Sequence, residues 1–165
     1  MERIRKVEDR DAREIAEIYN HYVRETTVTF VMEPISTEEM AANIKAICKE
    51  GPYFVMDDGE RVIGFCYAHK WKSKAAYDKT FEVTIYLRPG FEGKGRGQLL
   101  METLIRESRK RGVHALISCI TQENDGSCRF HERLGFEKVS HFREVGRKFG
   151  RWLDVMDYEL VIAES

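Results

Sequence analysis

Two stretches of the sequence carry residues that can do chemistry. One is Glu92-Gly93-Lys94-Gly95-Arg96-Gly97-Gln98, in which glycines leave successive backbone N–H groups uncovered and two cations stand beside them. Between a strand and a helix, such a turn can hold a phosphate or pyrophosphate, because glycine permits close approach and a helix N-terminus favours negative charge. It matches neither G-x-x-x-x-G-K-[ST] nor G-x-G-x-x-G with a following acid, so both common nucleotide loops are excluded. A turn that binds nothing is the alternative. The other stretch is Thr80 to Leu87, where Phe81, Val83, Ile85 and Leu87 alternate with Glu82, Thr84 and Tyr86, the period of a strand with two distinct faces. Glu82 is a carboxylate able to accept a proton from a bound group, although alternation by itself favours a solvent-facing acid.

Both stretches depend on the elements around them. Arg3 to Val7 reads as a strand, and after Asp9 the residues Ile15, Ile18, Tyr19 and Tyr22 share one helix face. Ser36 and Glu39 have capping-box spacing ahead of Met40, Ile44 and Ile47, so a second helix runs to about Lys49 and Gly51-Pro52 ends it. Tyr53 to Met56 and Arg61 to Ala68 suit strands joined at the hairpin turn Asp57-Asp58-Gly59. The glycine turn leads into a helix with Leu99, Leu100, Thr103 and Leu104 at helical spacing, capped by Gly112. Ala115 to Ile120 reads as a strand, Asp125 to Leu134 as a short helix, and Phe136 to Val145 and Trp152 to Leu160 as two final strands. The expectation is one mixed α/β domain over residues 1–165.

Composition agrees with one core. The chain has 165 residues, 42% of them hydrophobic, enough for one domain and short for two. Lys and Arg number 27 against 28 Asp and Glu, which gives no bulk attraction to nucleic acid or membrane; anion binding has to be local. Apolar runs such as Ala115-Leu116-Ile117 fall far short of the roughly 20 residues of a membrane helix, and Met1-Glu2-Arg3 opens no secretory leader. A soluble, cytoplasmic protein is expected. Cys48, Cys66, Cys119 and Cys128 form no C-x-x-C pair, so they read as ordinary thiols, with no metal site.

Together with the segments downstream of it, the glycine turn resembles the pyrophosphate loop of the GNAT superfamily of N-acetyltransferases, Gln/Arg-x-x-Gly-x-Gly/Ala, aligned on Glu92 to Gly97. Glu92 stands where that pattern has a cation or an amide. Other stretches resemble the phosphinothricin acetyltransferase-like branch: Ile18 to Tyr22, Thr26 to Phe30, Ala76-Tyr77, Thr80-Phe81-Glu82, Asn124, Ser127, His131 to Phe136 and Val145 to Val155. They run in order from about Ile15 to Val155. The resemblance implies an α+β GNAT-like fold, a mixed and mostly antiparallel twisted sheet flanked by helices. It also implies acetyl-CoA as acetyl donor, no metal, a homodimer, and as acceptor the amino group of phosphinothricin, methionine sulfone, methionine sulfoximine or a similar small molecule.

Residue roles come from the same resemblance. A free α-amino group, with a pKa of about 8, is mostly protonated at neutral pH, and Glu82 matches the glutamate that takes its proton, directly or through water. A backbone amide near Ile85 would serve the oxyanion. Ile85, Tyr86 and Leu87 would pair with the pantetheine arm, Gly93, Lys94, Gly95, Arg96, Gly97 and Gln98 would hold the pyrophosphate, and Asn124 and Ser127 would contact the donor. His131, where many members have tyrosine, is a candidate to protonate the leaving thiolate. Phe30, Lys74, Tyr77, Lys148 and Trp152 are candidates for the acceptor pocket, the cations suiting a carboxylate. His21, His69, His114 and His141 have no matching role. The rivals are acetylation of another amine, such as a protein N-terminus, polyamine or aminoglycoside, and a non-catalytic acyl-CoA sensor, against which Glu82 speaks.

Overall fold

The alternating stretch around Glu82 becomes the middle strand of a seven-stranded sheet in the computed structural model, which describes residues 1–163. In chain order the elements are β1 (Arg3–Lys6), α1 (Ala12–Glu25), α2 (Thr37–Glu50), β2 (Tyr53–Asp57), β3 (Val62–Lys70), β4 (Thr80–Leu87), α3 (Arg96–Lys110), β5 (Ala115–Thr121), α4 (Asp125–Arg133), β6 (Glu137–Lys148) and β7 (Arg151–Val161). The sheet order is β1-β2-β3-β4-β5-β7-β6. Neighbouring strands are antiparallel except β4 and β5, which are parallel. The mixed, mostly antiparallel sheet flanked by helices is therefore present. Short 3-10 turns at Asp9–Asp11 and Ala75–Tyr77 have no counterpart in the sequence pattern.

Helices cover both faces of the sheet, which is why β2 is buried along its whole length. Ile15 and Ile18 of α1 and Met40 and Ile44 of α2 pack with Tyr53, Val55 and Phe65 on one side. Leu100, Met101 and Leu104 of α3 pack with Ile63, Phe81, Val83 and Leu116 on the other. Each such side chain contributes about 1.5–3 kcal/mol when fully buried. Leu99, expected on the inner face of α3, is exposed; the inner stripe runs through Leu100, Met101 and Leu104 instead. The ends obey local chemistry. Ser36 Oγ accepts the Glu39 N–H at 3.1 Å, and Gly112, at φ +79°, closes α3 with Val113 N–H on Ser108 O.

The feature that positions the site is where the parallel pair stops. Thr80, Phe81 and Glu82 pair with Ala115, Leu116 and Ile117, and there the pairing ends, although β4 continues to Leu87 and β5 to Thr121. Beyond Glu82, β4 stays bound to β3 as far as Leu87 and β5 to β7 as far as Thr121. The sheet thus opens as two intact halves. No helix among the described residues is long and apolar enough to cross a membrane.

Gly51, at the junction of α2 and β2, leaves room for the backbone of β3: an added Cβ would lie 2.0 Å from Ala68 O. Gly51→Ala is expected to destabilise the protein by about 1–3 kcal/mol or more, because backbone has to move. Gly126→Ala, with nothing within 4 Å of its added Cβ, is expected to be neutral or slightly stabilising. Urea unfolding of the two variants checks the contrast.

Candidate active site

A cavity of about 310 Å³ occupies the opening between β4 and β5. Its walls come from Glu82 to Tyr86 of β4, Ser118 to Thr121 of β5, Tyr67 and His69 of β3, the segment Val28 to Phe30, and Asn124, Ser127 and His131 around α4. A second cavity, about 720 Å³, runs along the glycine turn, with Gly93, Gly95, Gly97 and Gln98 on one side and Gly126, Phe130 and Arg133 on the other. The two meet at Ile85 and Ser127, which line both.

Glu82 projects into the first cavity with its side chain 32% exposed and its Oε2 4.0 Å from His69 Nε2. Burial raises its pKa, His69 opposes the rise and Asp157 adds to it; the net shift is upward. The strand alternation holds, but the face expected to meet solvent lines a cleft. On the facing strand, burial together with Asp157 and Glu82 pushes the Cys119 thiol up to about 12, so it remains protonated and is a poor nucleophile.

His131 is 1% exposed, and its Nδ1 lies 2.8 Å from Ser127 O. A carbonyl only accepts, so Nδ1 carries the hydrogen and Nε2 is a bare acceptor, buried without a partner among the described residues. Burial lowers its pKa against the opposing pull of the Ser127 carbonyl. The ring therefore rests neutral, with its lone pair on Nε2. Asn124 N-caps α4, its Oδ1 accepting the Ser127 N–H at 3.3 Å, so the amide side chain serves the helix while lining the cavity.

At the glycine turn, Gly93 and Gly95 have φ of +81° and +78°, a region that suits glycine. Gly95 N-caps α3 without any side-chain bond, which leaves the first amides of the helix to an incoming anion. The side chains differ from expectation. Arg96 is held by Glu2 at 2.9 Å and by Phe91 O at 3.1 Å, and neither it nor Lys94 lines the cavity. Glu92 Oε2 accepts the Gly90 N–H at 2.9 Å, which directs part of its charge into the turn itself.

A deep cleft beside an open strand edge, leading to an uncapped helix N-terminus, can hold a long anionic ligand and present its far end to a carboxylate. Residues 4–156 match the family model described as the acetyltransferase (GNAT) domain. The chain belongs to the GNAT acetyltransferases. It is 39% identical to a phosphinothricin N-acetyltransferase of Streptomyces coelicolor, over 92% of this chain and 91% of the relative. It is 34% identical to an L-methionine sulfoximine/L-methionine sulfone acetyltransferase of Salmonella typhimurium, over 98% and 95%. Its structure superposes on a GNAT phosphinothricin acetyltransferase from Sinorhizobium meliloti, solved in complex with acetyl-CoA, with a TM-score of 0.95 at 32% identity, covering 99% and 90% of the chains.

Within this GNAT fold, the expected acceptor residues divide sharply. Phe30 lines the cleft. Lys148 does not: it is 2% exposed and donates its Nζ to Thr29 O at 2.7 Å, so it ties down the segment carrying Phe30 rather than meeting a substrate carboxylate. Lys74 is exposed at the start of the 3-10 turn, Tyr77 packs edge-on against Trp71 at 5.3 Å, and Trp152 stands exposed beside the Arg147 guanidinium. None of these three lines the cleft. Motif membership puts them near it in sequence but does not specify side-chain direction. Conversely, Tyr19, Tyr67, His69 and Thr29 line the cleft; Tyr19 and Thr29 fall within the resembling segments Ile18 to Tyr22 and Thr26 to Phe30, while Tyr67 and His69 fall in none. The signal for two of them is the hairpin of β3 and β4, whose register sets Tyr67 against Thr84 and His69 against Glu82.

Phe30 lies on Gly146, where an added Cβ would come within 2.1 Å of its ring. Gly146→Ala is expected to displace the ring and raise the acceptor KM on the order of tenfold, leaving the donor KM unchanged. Steady-state kinetics with each substrate varied in turn measures this.

Proposed function

We propose that this protein transfers the acetyl group of acetyl-CoA to the amino group of a small amino-acid-like acceptor of the phosphinothricin, methionine sulfone or methionine sulfoximine type, with Glu82 as general base. The observation that carries the reading is the placement of a half-buried carboxylate where β4 and β5 part, in the cavity that joins the glycine-turn cavity at Ile85 and Ser127. The relatives named above support the acceptor class.

Acetyl-CoA, when bound, supplies a thioester carbonyl for the amine to attack. The chain does the rest. The amides at Gly93 to Gln98 receive the pyrophosphate, and the edge of β4 from Ile85 to Leu87, free of a partner on the β5 side, receives the pantetheine arm and offers a backbone amide to the oxyanion. Glu82 removes the ammonium proton, which burial aids by raising its affinity for protons. Attack is direct in this reading, with no acyl-enzyme on Cys119, whose thiol is a poor nucleophile. His131 Nε2, an acceptor at rest, takes a proton released in the cleft and passes it to the departing sulfur.

A second copy completes the assembly in this reading. β6 is an edge strand on which Val139, Phe142 and Val145 are exposed, with Phe149 and Trp152 also exposed nearby; such an edge is normally covered. The working unit is residues 1–165 acting as one domain, and its place is the cytoplasm, in keeping with four free thiols. One observation favours a different acceptor: none of the described cleft-lining residues is Lys or Arg, which suits an amine without a carboxylate, such as a polyamine.

Glu82→Gln is expected to lower kcat/KM by about 10²–10⁴ while calorimetry shows acetyl-CoA binding unchanged. In the wild type the acid limb of kcat/KM should fall above the ordinary carboxylate value of about 4.3, because a raised pKa loses the base form at higher pH; the Glu82→Gln variant should lack that limb. An acceptor panel of sulfone and sulfoximine amino acids, phosphinothricin, polyamines and N-terminal peptides separates the two readings. Light scattering should give twice the 19.3 kDa chain mass, and the double change Phe142→Glu with Val145→Glu should return a monomer.

A further inference from the structure

Acetyl transfer to an ammonium group releases two protons for each amide formed. One ends on the sulfur of the free thiol. The other has to leave the cleft, and a carboxylate that has taken it is not a base again until it passes the proton on. The group opposite Glu82 is His69, its cross-strand partner in the β3/β4 register. His69 Nδ1 lies 2.9 Å from Lys70 O; since a carbonyl only accepts, the hydrogen sits on Nδ1 and the Nε2 lone pair faces Glu82 Oε2 at 4.0 Å. The ring is backed by Tyr67, with centroids 5.9 Å apart. Its side chain is 30% exposed, so it touches both the cleft and solvent.

We propose that His69 is the proton outlet of the transfer: its Nε2 takes the proton that Glu82 has drawn from the amine and delivers it to water or a buffer base. This rests on Glu82 as the general base. In the step, the O–H bond of the Glu82 carboxylic acid breaks, an Nε2–H bond forms, and the imidazolium then loses that proton outside the cleft. The 4.0 Å separation exceeds a direct hydrogen bond; rotation of one side chain or a single bridging water closes it. The other groups facing Glu82 are poorer outlets. Cys119 from β5 is a thiol with its pKa pushed up to about 12, Tyr67 from β3 holds its proton, raised by burial, and Asp157 from β7 accepts the Ser140 hydroxyl at 2.9 Å. Imidazole is the side chain that takes and gives protons near neutrality.

The test is turnover of wild type, His69→Gln and Glu82→Gln at low buffer concentration and then with increasing imidazole. His69→Gln is expected to lose on the order of tenfold in kcat, less than the roughly 10²–10⁴ of a primary base, with both KM values unchanged and the rate restored by added imidazole. Wild type should not respond to the buffer. If the loss in His69→Gln is independent of buffer, or there is no loss while Glu82→Gln is inactive, the outlet role is overturned and Glu82 remains the base. Full activity in Glu82→Gln would instead overturn the base assignment, and the outlet with it.

Discussion

The structure depends on one constraint, the end of parallel pairing at Glu82↔Ile117. A strand edge without a partner exposes backbone donors and acceptors that carry a free-energy cost when buried unsatisfied. Here that edge faces a cleft rather than a protein interior, and ligand or water can meet its needs. The two chain segments leaving the parallel strands complete the arrangement: α3 comes after β4 through the glycine turn, and α4 comes after β5 directly from Asn124. Both helix N-termini therefore lie toward the carboxyl ends of the strands that part, the place where open α/β sheets bind ligands. The opening supplies the cavity, the free edge and the positive helix ends together.

A gap in a sheet needs walls that hold their shape without regular structure. The segment from Thr26 to Phe30 does this through polar ties to distant parts of the chain. Thr121 Oγ1 donates to Thr27 O at 2.7 Å, Lys148 Nζ donates to Thr29 O at 2.7 Å, and Tyr19 Oη and Thr29 Oγ1 bond at 3.0 Å. Arg151 grips Glu123, which also accepts the Thr27 hydroxyl. Such bonds use backbone carbonyls of an irregular segment that would otherwise be unpaired in a partly buried place. The buried Lys148 is costly as a charge, since burial lowers its pKa; its position is explained by holding the wall that carries Phe30, not by contact with an anion.

Much of this is legible in the sequence, for identifiable reasons. Strict alternation around Glu82 and helical spacing in α1, α2 and α3 reflect burial on one face, and the turn residues at Asp57 to Gly59 and at Gly112 reflect backbone geometry, so the elements can be read locally. Phe30, Glu82, Asn124 and Ser127 stand out in the sequence as well, and they line the cleft. What local pattern does not encode is how soon the β4/β5 pairing ends, because that depends on strands far apart in the chain, Thr80 meeting Ala115 and Glu82 meeting Ile117. Lys74, Tyr77, Lys148 and Trp152 do not line the cleft, for the same reason. Each sits in a segment bordering the site, and only register and tertiary contact decide which way its side chain turns. Nothing adjacent in sequence marks His69; its significance appears once hairpin register sets it against Glu82.

At the glycine turn a departure from the family pattern leaves the backbone geometry of a helix-entry anion site in place. Glu92 replaces a cation or amide, and a carboxylate beside an anion site would ordinarily be unfavourable. Here its Oε2 is engaged by the Gly90 N–H, while Arg96 is neutralised by Glu2. With one acid and one base each occupied locally, Arg133 is a cation that still lines the second cavity. Beside it stands the backbone: two glycines at positive φ and the uncapped start of α3. Those amides owe their orientation to chain geometry rather than to residue type, so in the proposed donor site they can meet an anion whatever side chain stands at position 92.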